Sequence, residues 1–322
     1  MPGWRRLCTA LPVVTAGGEQ HGCQEGPGSP VDSAAMKVLV TGASGFVGRA
    51  LVDELRHGDG AYEVRPLGRG DGDLAEPGTA EAALAATSSD VVVHAAARIG
   101  VVRCEEEPEL ALRSNVLGTT LVARAAAEHG ARLAYLSTSD VYGSAVAADE
   151  ETPPAPESLY AYTKLCGEQV AALYAPESLT VLRLANPYGP GVGAEEGKGA
   201  LTTMLRQADT RERIPVFRGE ARTWCWIGDV VRAIRLTLES GEEGTFNVGS
   251  DGEPVGLADV ARLACELTGA PKDLIEEVEP PAGRVMTRIS IERLRSLGWR
   301  PEVSLDEGMR RLLESLRAGA PA

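Results

Sequence analysis

The stretch KVLVTGASGFVGRALVDEL, residues 37–55, decides how the rest of the chain is read. Residues 37–40 are a short apolar run with the character of a buried strand. They lead directly into Thr41-Gly42-Ala43-Ser44-Gly45-Phe46-Val47-Gly48, where glycine recurs at every third position. Residues 46–57 then read as a helix. In a strand–turn–helix of this kind each glycine has its own task. Gly42 permits the tight turn, Gly45 lets a pyrophosphate approach the backbone, and Gly48 lets the helix pack on the sheet. The free N–H groups and positive dipole end of the helix would hold the phosphates. A glycine triplet alone is weak evidence, and its alternative is a structural turn. The strand before it and the helix after it favour a dinucleotide site.

Working outward, apolar strands alternate with helices. Strands are predicted at 62–67, 91–96, 133–137, 179–184 and 245–248, and helices at 78–86, 109–129, 158–175 and 228–240. Pro108 sits in a favourable place just before the second of those helices. This alternation predicts a doubly wound parallel α/β sheet with helices on both faces. Its strands are nearly continuous apolar runs, as doubly covered strands should be. The texture changes after Asn186, where NPYGPGVGAEEGKG (186–199) is a long Gly/Pro loop. Short helical patterns follow at 199–208, 256–268, 290–297 and 304–317. The expected organisation is a dinucleotide-binding domain at 36–186 plus about 225–250, and a smaller, interleaved C-terminal substrate domain at 187–224 and 251–322. Residues 1–35 read as a disordered extension. Arg5-Arg6 followed by LCTALPVVTA faintly resembles a signal peptide, but the apolar part is short. Met36 stands where a cytoplasmic protein of this kind would begin, and cytoplasm is the expected location.

Composition bounds the function. With 322 residues, 43% hydrophobic and 24% charged, the chain can bury an ordinary core. It has no run of eighteen apolar residues, so no membrane-spanning helix is expected. Against 32 basic residues stand 46 acidic ones, a net charge of −14. Neither nucleic acid nor an anionic membrane is an expected partner. A phosphate-bearing substrate would need a local cationic pocket. Of the basic residues only four are lysines, so a lysine at a meaningful position carries weight. The cysteines, at 8, 23, 104, 166, 225 and 265, form no CxxC pair, and the histidines at 21, 57, 94 and 129 are scattered. Free thiols in a reducing compartment and no metal site are expected.

Tyr160-Ala161-Tyr162-Thr163-Lys164 places Tyr160 and Lys164 on one face of a helix. A phenol with a pKa near 10 is a poor base at neutral pH. A neighbouring ammonium and a positively charged nicotinamide ring would both favour the phenolate. Tyr160 could then take or return a hydroxyl proton during hydride transfer. Tyr162 lacks such a partner, because position 166 is Cys. Upstream, Ser137-Thr138-Ser139-Asp140-Val141-Tyr142-Gly143 ends a strand at the edge where open α/β sheets bind ligands; its alternative reading is a turn or cap. Some twenty residues past the glycine turn, where an acid would bind the ribose 2′-OH of NAD, stand Gly68 and Arg69. Arg69 could pair with a 2′-phosphate, which favours NADP(H). The alternative is a solvated Arg69 with Asp71 or Asp73 turned back towards the ribose.

These pieces together resemble the extended short-chain dehydrogenase/reductase family, in its NAD-dependent epimerase/dehydratase branch. The matching segments are TGASGFVG (41–48), HAAAR (94–98), NVLGT (115–119), STSDVYG (137–143), YAYTK (160–164), RLANPYGPG (183–191), RTWCWIGDVVRAI (222–234), FNVGS (246–250) and LGWRPEVSLDEGMRRLLE (297–314). The resemblance implies a Rossmann fold, NAD(P), and a nucleotide-sugar substrate. It implies catalytic roles for Thr138, Tyr160 and Lys164. Cofactor contacts would come from Gly42, Ser44, Gly45, Phe46, Val47, Gly48, Arg69, Asp73, Leu74, Ala95, Ala96, Ala97, Asn115, Ser137, Tyr160, Lys164 and Leu184. Substrate contacts would come from Ser139, Asp140, Asn186 and Arg222, the last resembling an arginine that pairs with a diphosphate. The helices at 109–129 and 158–175 resemble the pair that forms a four-helix interface in relatives, so a homodimer is expected. Three departures stand out. The acid after the second strand is missing. Pro281-Ala282-Gly283-Arg284 replaces an Arg-Pro-Gly-Asp segment. Ser139-Asp140 replaces the Asp-Glu pair of the dehydratases and lies closer to the Ser-Glu of the decarboxylases. Epimerisation or reduction of a 4-keto sugar leads, ahead of decarboxylation, dehydration and a non-catalytic dinucleotide sensor.

Overall fold

A computed structural model of the chain describes residues 35–58, 62–191, 199–250, 252–279 and 288–319. The expected disordered extension (save residue 35) and the 281–284 segment lie outside the described residues. Six strands form the central sheet: Met36–Thr41 (β1), Tyr62–Leu67 (β2), Val91–His94 (β3), Arg132–Thr138 (β4), Leu179–Leu184 (β6) and Gly244–Val248 (β11). Their order is β11-β6-β4-β3-β1-β2, and every neighbouring pair is parallel. The chain leaves β1 for β2 on one side and returns to β3 on the other, which opens a crevice at their carboxyl ends.

Alternation along each strand builds two cores. Val38, Val40, Val91, Val93, Ala134, Leu136 and Leu182 face one side, against helices Phe46–His57 (α1) and Ile227–Ser240 (α8). Leu39, Val92, Leu133, Tyr135 and Val181 face the other, against Thr79–Thr87 (α2), Gly118–Glu128 (α5) and Leu159–Tyr174 (α6). The expectation of helices on both faces holds.

The long helix expected at 109–129 is less regular. It comprises Pro108–Leu112 (α4), a π-helical turn at Arg113–Leu117, and α5. The π turn is wide, and single turns of this kind favour functional sites. Before it lies an unexpected short helix, Val101–Glu106 (α3).

A separate apolar cluster gathers Ala200–Asp209 (α7), Ile214–Phe217 (β8), Leu257–Thr268 (α9) and Leu305–Arg317 (α11), with Leu201, Leu205, Ile214, Val260 and Met309 inside it. β8 pairs in parallel with Ile275–Val278 (β13), a ladder the sequence reading did not include. Short two-residue pairs complete the structure: Ala147–Ala148 (β5) with Arg288–Ile289 (β14), Pro187–Tyr188 (β7) with Cys225–Trp226 (β10), and Ala221–Arg222 (β9) with Val255–Gly256 (β12). One part of the expected substrate domain belongs elsewhere. Ile291, Leu294 of Glu292–Ser296 (α10) and Trp299 pack in the sheet core beside Phe246. Buried Asp229 ties this segment to α8. Its carboxylate accepts from Val303 N at 3.1 Å and its carbonyl from Trp299 Nε1 at 3.2 Å. Among the described residues no helix is long and apolar enough to cross a membrane.

Candidate active site

The glycine turn is as tight as its spacing implies. Gly42 has φ +66°, and a Cβ there would lie 2.6 Å from Ala96 N. A Cβ on Gly48 would lie 2.2 Å from Gly42 O, so α1 rests directly on the turn. No side chain caps the first turn of α1, and no acid stands in it. Its N–H groups and dipole therefore fit a pyrophosphate. Ala95, Ala96 and Ala97 follow β3, which ends at His94 rather than 96, and the backbone of Ala95 and Ala96 lies against this turn.

At the end of β2, Asp71 Oδ2 accepts from Gly68 N at 2.8 Å and caps its own short 3₁₀ turn. A Cβ on Gly68 would lie 3.4 Å from that of Ser44. Arg69 is exposed and makes no ion pair among the described residues. Asp73 is engaged: it accepts from Ala75 N at 2.9 Å and from Arg113 at 3.0 Å. Both contacts hold its carboxyl below the usual range. Leu74 packs against the α2 side of the sheet.

A buried relay of polar side chains joins this turn to α6. Thr119 donates to Asn115 O at 2.7 Å, so its oxygen accepts from His94 Nε2 at 3.1 Å. That fixes the proton on Nε2, and Nδ1 accepts from Thr41 Oγ1 at 2.7 Å. Ala96 N in turn donates to Thr41 Oγ1. Burial, and secondly the charge of Lys164, lower the imidazole pKa to about 3, so His94 is neutral. Asn115 Nδ2 donates to Thr163 Oγ1 at 2.9 Å, and Thr163 donates to Tyr160 O at 2.8 Å. The side chain of Asn115 also exchanges hydrogen bonds with Arg98 N and O. Asn115 was expected to line the cofactor. It is wholly buried, its amide is saturated, and it shapes the site from behind.

β4 ends at Thr138, followed by a 3₁₀ turn at Ser139–Tyr142. Thr138 Oγ1 accepts from Asp140 N at 3.2 Å, so the cap reading is correct. The same hydroxyl faces the phenol of Tyr160 and favours its ionised form. Ser158 caps α6 by accepting from Ala161 N, which starts the helix at Leu159, one residue before Tyr160. Tyr160 and Lys164 share a face one turn apart. Lys164 is buried with its Nζ 4.1 Å above the Tyr135 ring. Burial lowers its pKa to about 7, opposed by the carboxylate of Glu168. The expectation of a lowered phenol pKa is not met by the protein's own groups. Burial first, then the Asp140 carboxylate, push Tyr160 well up, and only the Thr138 hydrogen bond works the other way.

Several expected contacts are otherwise engaged. Ser137 is buried and donates to Glu168 Oε1 at 2.5 Å. Leu184 is a core residue beneath the sheet. Arg222 Nε donates to Glu220 Oε1 at 2.7 Å, its Nη2 reaches the same oxygen, and Glu220 is buried. The guanidinium expected to hold a diphosphate therefore already holds a carboxylate. Asn186 has φ +38°, an uncommon conformation at the carboxyl edge of the sheet, and donates to Thr223 O at 2.9 Å. Ser139 is buried, and Asp140 is exposed beside Tyr160. The sequence reading missed Glu168, Arg183 and Glu220. Arg183 carried a signal, since a cation inside an apolar strand requires a buried partner.

A family model described as the NAD dependent epimerase/dehydratase family matches residues 38–249. The UDP-glucose 4-epimerase of Mycolicibacterium smegmatis is 30% identical, over 88% of this chain and 99% of that protein. A crystal structure of the UDP-glucose 4-epimerase of Thermus thermophilus in complex with NAD superposes with a TM-score of 0.78 at 28% identity, covering 88% of this chain and 100% of that one. The dTDP-4-dehydrorhamnose reductase of Bacillus anthracis in complex with NADP gives 0.76 at 26% identity, covering 87% and 99%.

Proposed function

The chain belongs to the NAD-dependent epimerase/dehydratase family, and from that premise we propose that it epimerises a nucleotide-activated sugar at C4, with Tyr160 as general acid and base. The observation that carries this reading is the grouping of Tyr160, Thr138 and buried Lys164 at the carboxyl edge of β4, joined by the buried relay to the glycine turn. The turn at 42–48 and α1 would hold the dinucleotide, which would supply the hydride acceptor and, when oxidised, a positive charge that favours the phenolate. That charge offsets the burial that otherwise keeps Tyr160 protonated. Thr138 orients the phenol on the reacting hydroxyl, and Tyr160 takes and later returns the proton. Ser139, Asp140 and Asn186 line the sugar side. The two-acid pair needed for water elimination is absent, which disfavours dehydration.

Arg69 supports a second reading, reduction of a keto sugar by NADPH, because it is exposed at the end of β2, where a 2′-phosphate would lie within its reach. One experiment separates the two. The purified protein is denatured and any released dinucleotide identified by mass spectrometry, and the intact protein is assayed for interconversion of UDP-glucose and UDP-galactose. Retained NAD with interconversion supports the epimerase. An empty protein that prefers NADPH supports the reductase.

A further inference from the structure

Arg183 and Glu168 form an ion pair of 2.7 Å with side chains only 7% and 9% exposed. Burying two charges costs much of what their attraction returns, so such a pair is weak evidence for stability. Its surroundings are specific. Arg183 Nε and Nη2 hold the two carboxylate oxygens at 3.0 and 2.7 Å, and Ser137 adds a third bond. Arg183 Nη1 donates to Tyr142 Oη at 3.0 Å, which donates to Asn247 Oδ1 at 2.8 Å. The carboxylate is thus fixed from α6, β4, β6 and, through Tyr142, β11. It stands one turn beyond Lys164 on the same helix face, and its partner Ser137 directly precedes Thr138.

We propose that Glu168 is a positioning residue of the catalytic cluster: its pinned carboxylate keeps the buried Lys164 ammonium charged, and Arg183 limits how strongly it does so. The catalytic consequence rests on the function proposed above. The other groups around Lys164 do not take this role. His94 on β3 is neutral and Tyr135 on β4 is a protonated phenol. Cys104 on α3 is a thiol pushed up by burial. Tyr160 on α6 is itself pushed up, and Asp140 in the 3₁₀ turn acts on that phenol. The anion that raises Lys164 is Glu168.

The chain's four lysines make a direct test practical. Protein labelled with ¹³C at lysine Cε gives four signals, and Lys164→Gln identifies the relevant one. Without substrate or cofactor, Glu168→Gln is expected to lower the Lys164 midpoint by about one pH unit, and Arg183→Gln to raise it by about as much. The double variant, which leaves no unpaired buried charge, is expected between the two and covers the case in which a single variant fails to fold. Midpoints unchanged from wild type would overturn the proposal, since a purely structural pair would alter stability alone. If the midpoints move and the alkaline limb of turnover does not follow them, the coupling stands and the catalytic reading of Lys164 falls.

Discussion

Tyr160 is the residue proposed as general acid and base. Tyr160→Phe is expected to cut turnover by about 10²–10⁴-fold, the usual scale of a lost acid/base. Dinucleotide binding, measured by fluorescence titration, should survive. Lys164 carries a stability cost that can be read directly. Its folded pKa of about 7 lies below its ordinary 10.5. Between those values the unfolded chain binds more protons than the folded one, so stability gained from this group rises with pH across that window. Lys164→Met should therefore raise Tm near pH 7, abolish turnover, and lose its advantage as pH approaches 10. Residue identities at this scale were legible where chemistry is local. Tyr160 and Lys164 follow from helix spacing, and Gly42 and Gly48 from the turn. The capture of Arg222 by Glu220 was not legible, because it depends on the fold of a two-residue strand. Nor was the saturation of Asn115, which depends on a loop seventeen residues earlier.

Among the elements, α3, α4, the π turn and α6 present an apolar surface that the core does not use. Val102, Tyr162 and Leu173 are 64%, 54% and 73% exposed, and Ile99, Leu110, Leu112 and Leu117 are exposed as well. Isolated apolar residues are ordinary on a surface, but a set this concentrated on neighbouring helices marks an interface. We propose that it joins two copies of the chain. Light scattering at micromolar concentration should give a dimeric mass, and Val102→Glu with Leu173→Glu should give a monomer that keeps its fold by circular dichroism. A monomeric wild type would refute this. Apart from α3, the helices were legible from apolar periodicity, to within about two residues. The π turn was not, since one extra residue per turn leaves no periodic trace. The β8–β13 ladder was missed for a related reason: four residues are too few to separate a strand from a loop.

At the scale of the molecule, the sheet and the second cluster meet the expectation of a doubly wound fold with an added unit. The alternating pattern of strands and helices fixed the layers, since Val38 and Leu39 can only face opposite sides. The pattern did not reveal that residues 291–299 return to the sheet core, because Trp299 and Leu294 read equally well in either core. Ligand binding draws on the folded state alone. Added NAD or NADP at a hundred times its Kd should stabilise the protein by about 2.7 kcal/mol. At equal concentrations of the two, the larger Tm shift, measured by calorimetry, identifies the preferred dinucleotide, and no shift with either would contradict the assigned glycine turn.

The relay through His94 also sets an acid limit. Each hydrogen bond in it has one possible direction, and the imidazole has no room for a second proton while Nδ1 accepts from Thr41. Below about pH 6.5, the ordinary value for histidine, acid increasingly favours states in which this ring is released. The stability it protects is lost as pH falls towards its folded value of about 3. The ring bonds Thr41 at the start of the glycine turn and Thr119 of α5, and Asn115 carries the relay on to Thr163 of the tyrosine helix. Acid should therefore loosen both ends of the relay over one pH range, a single transition rather than two.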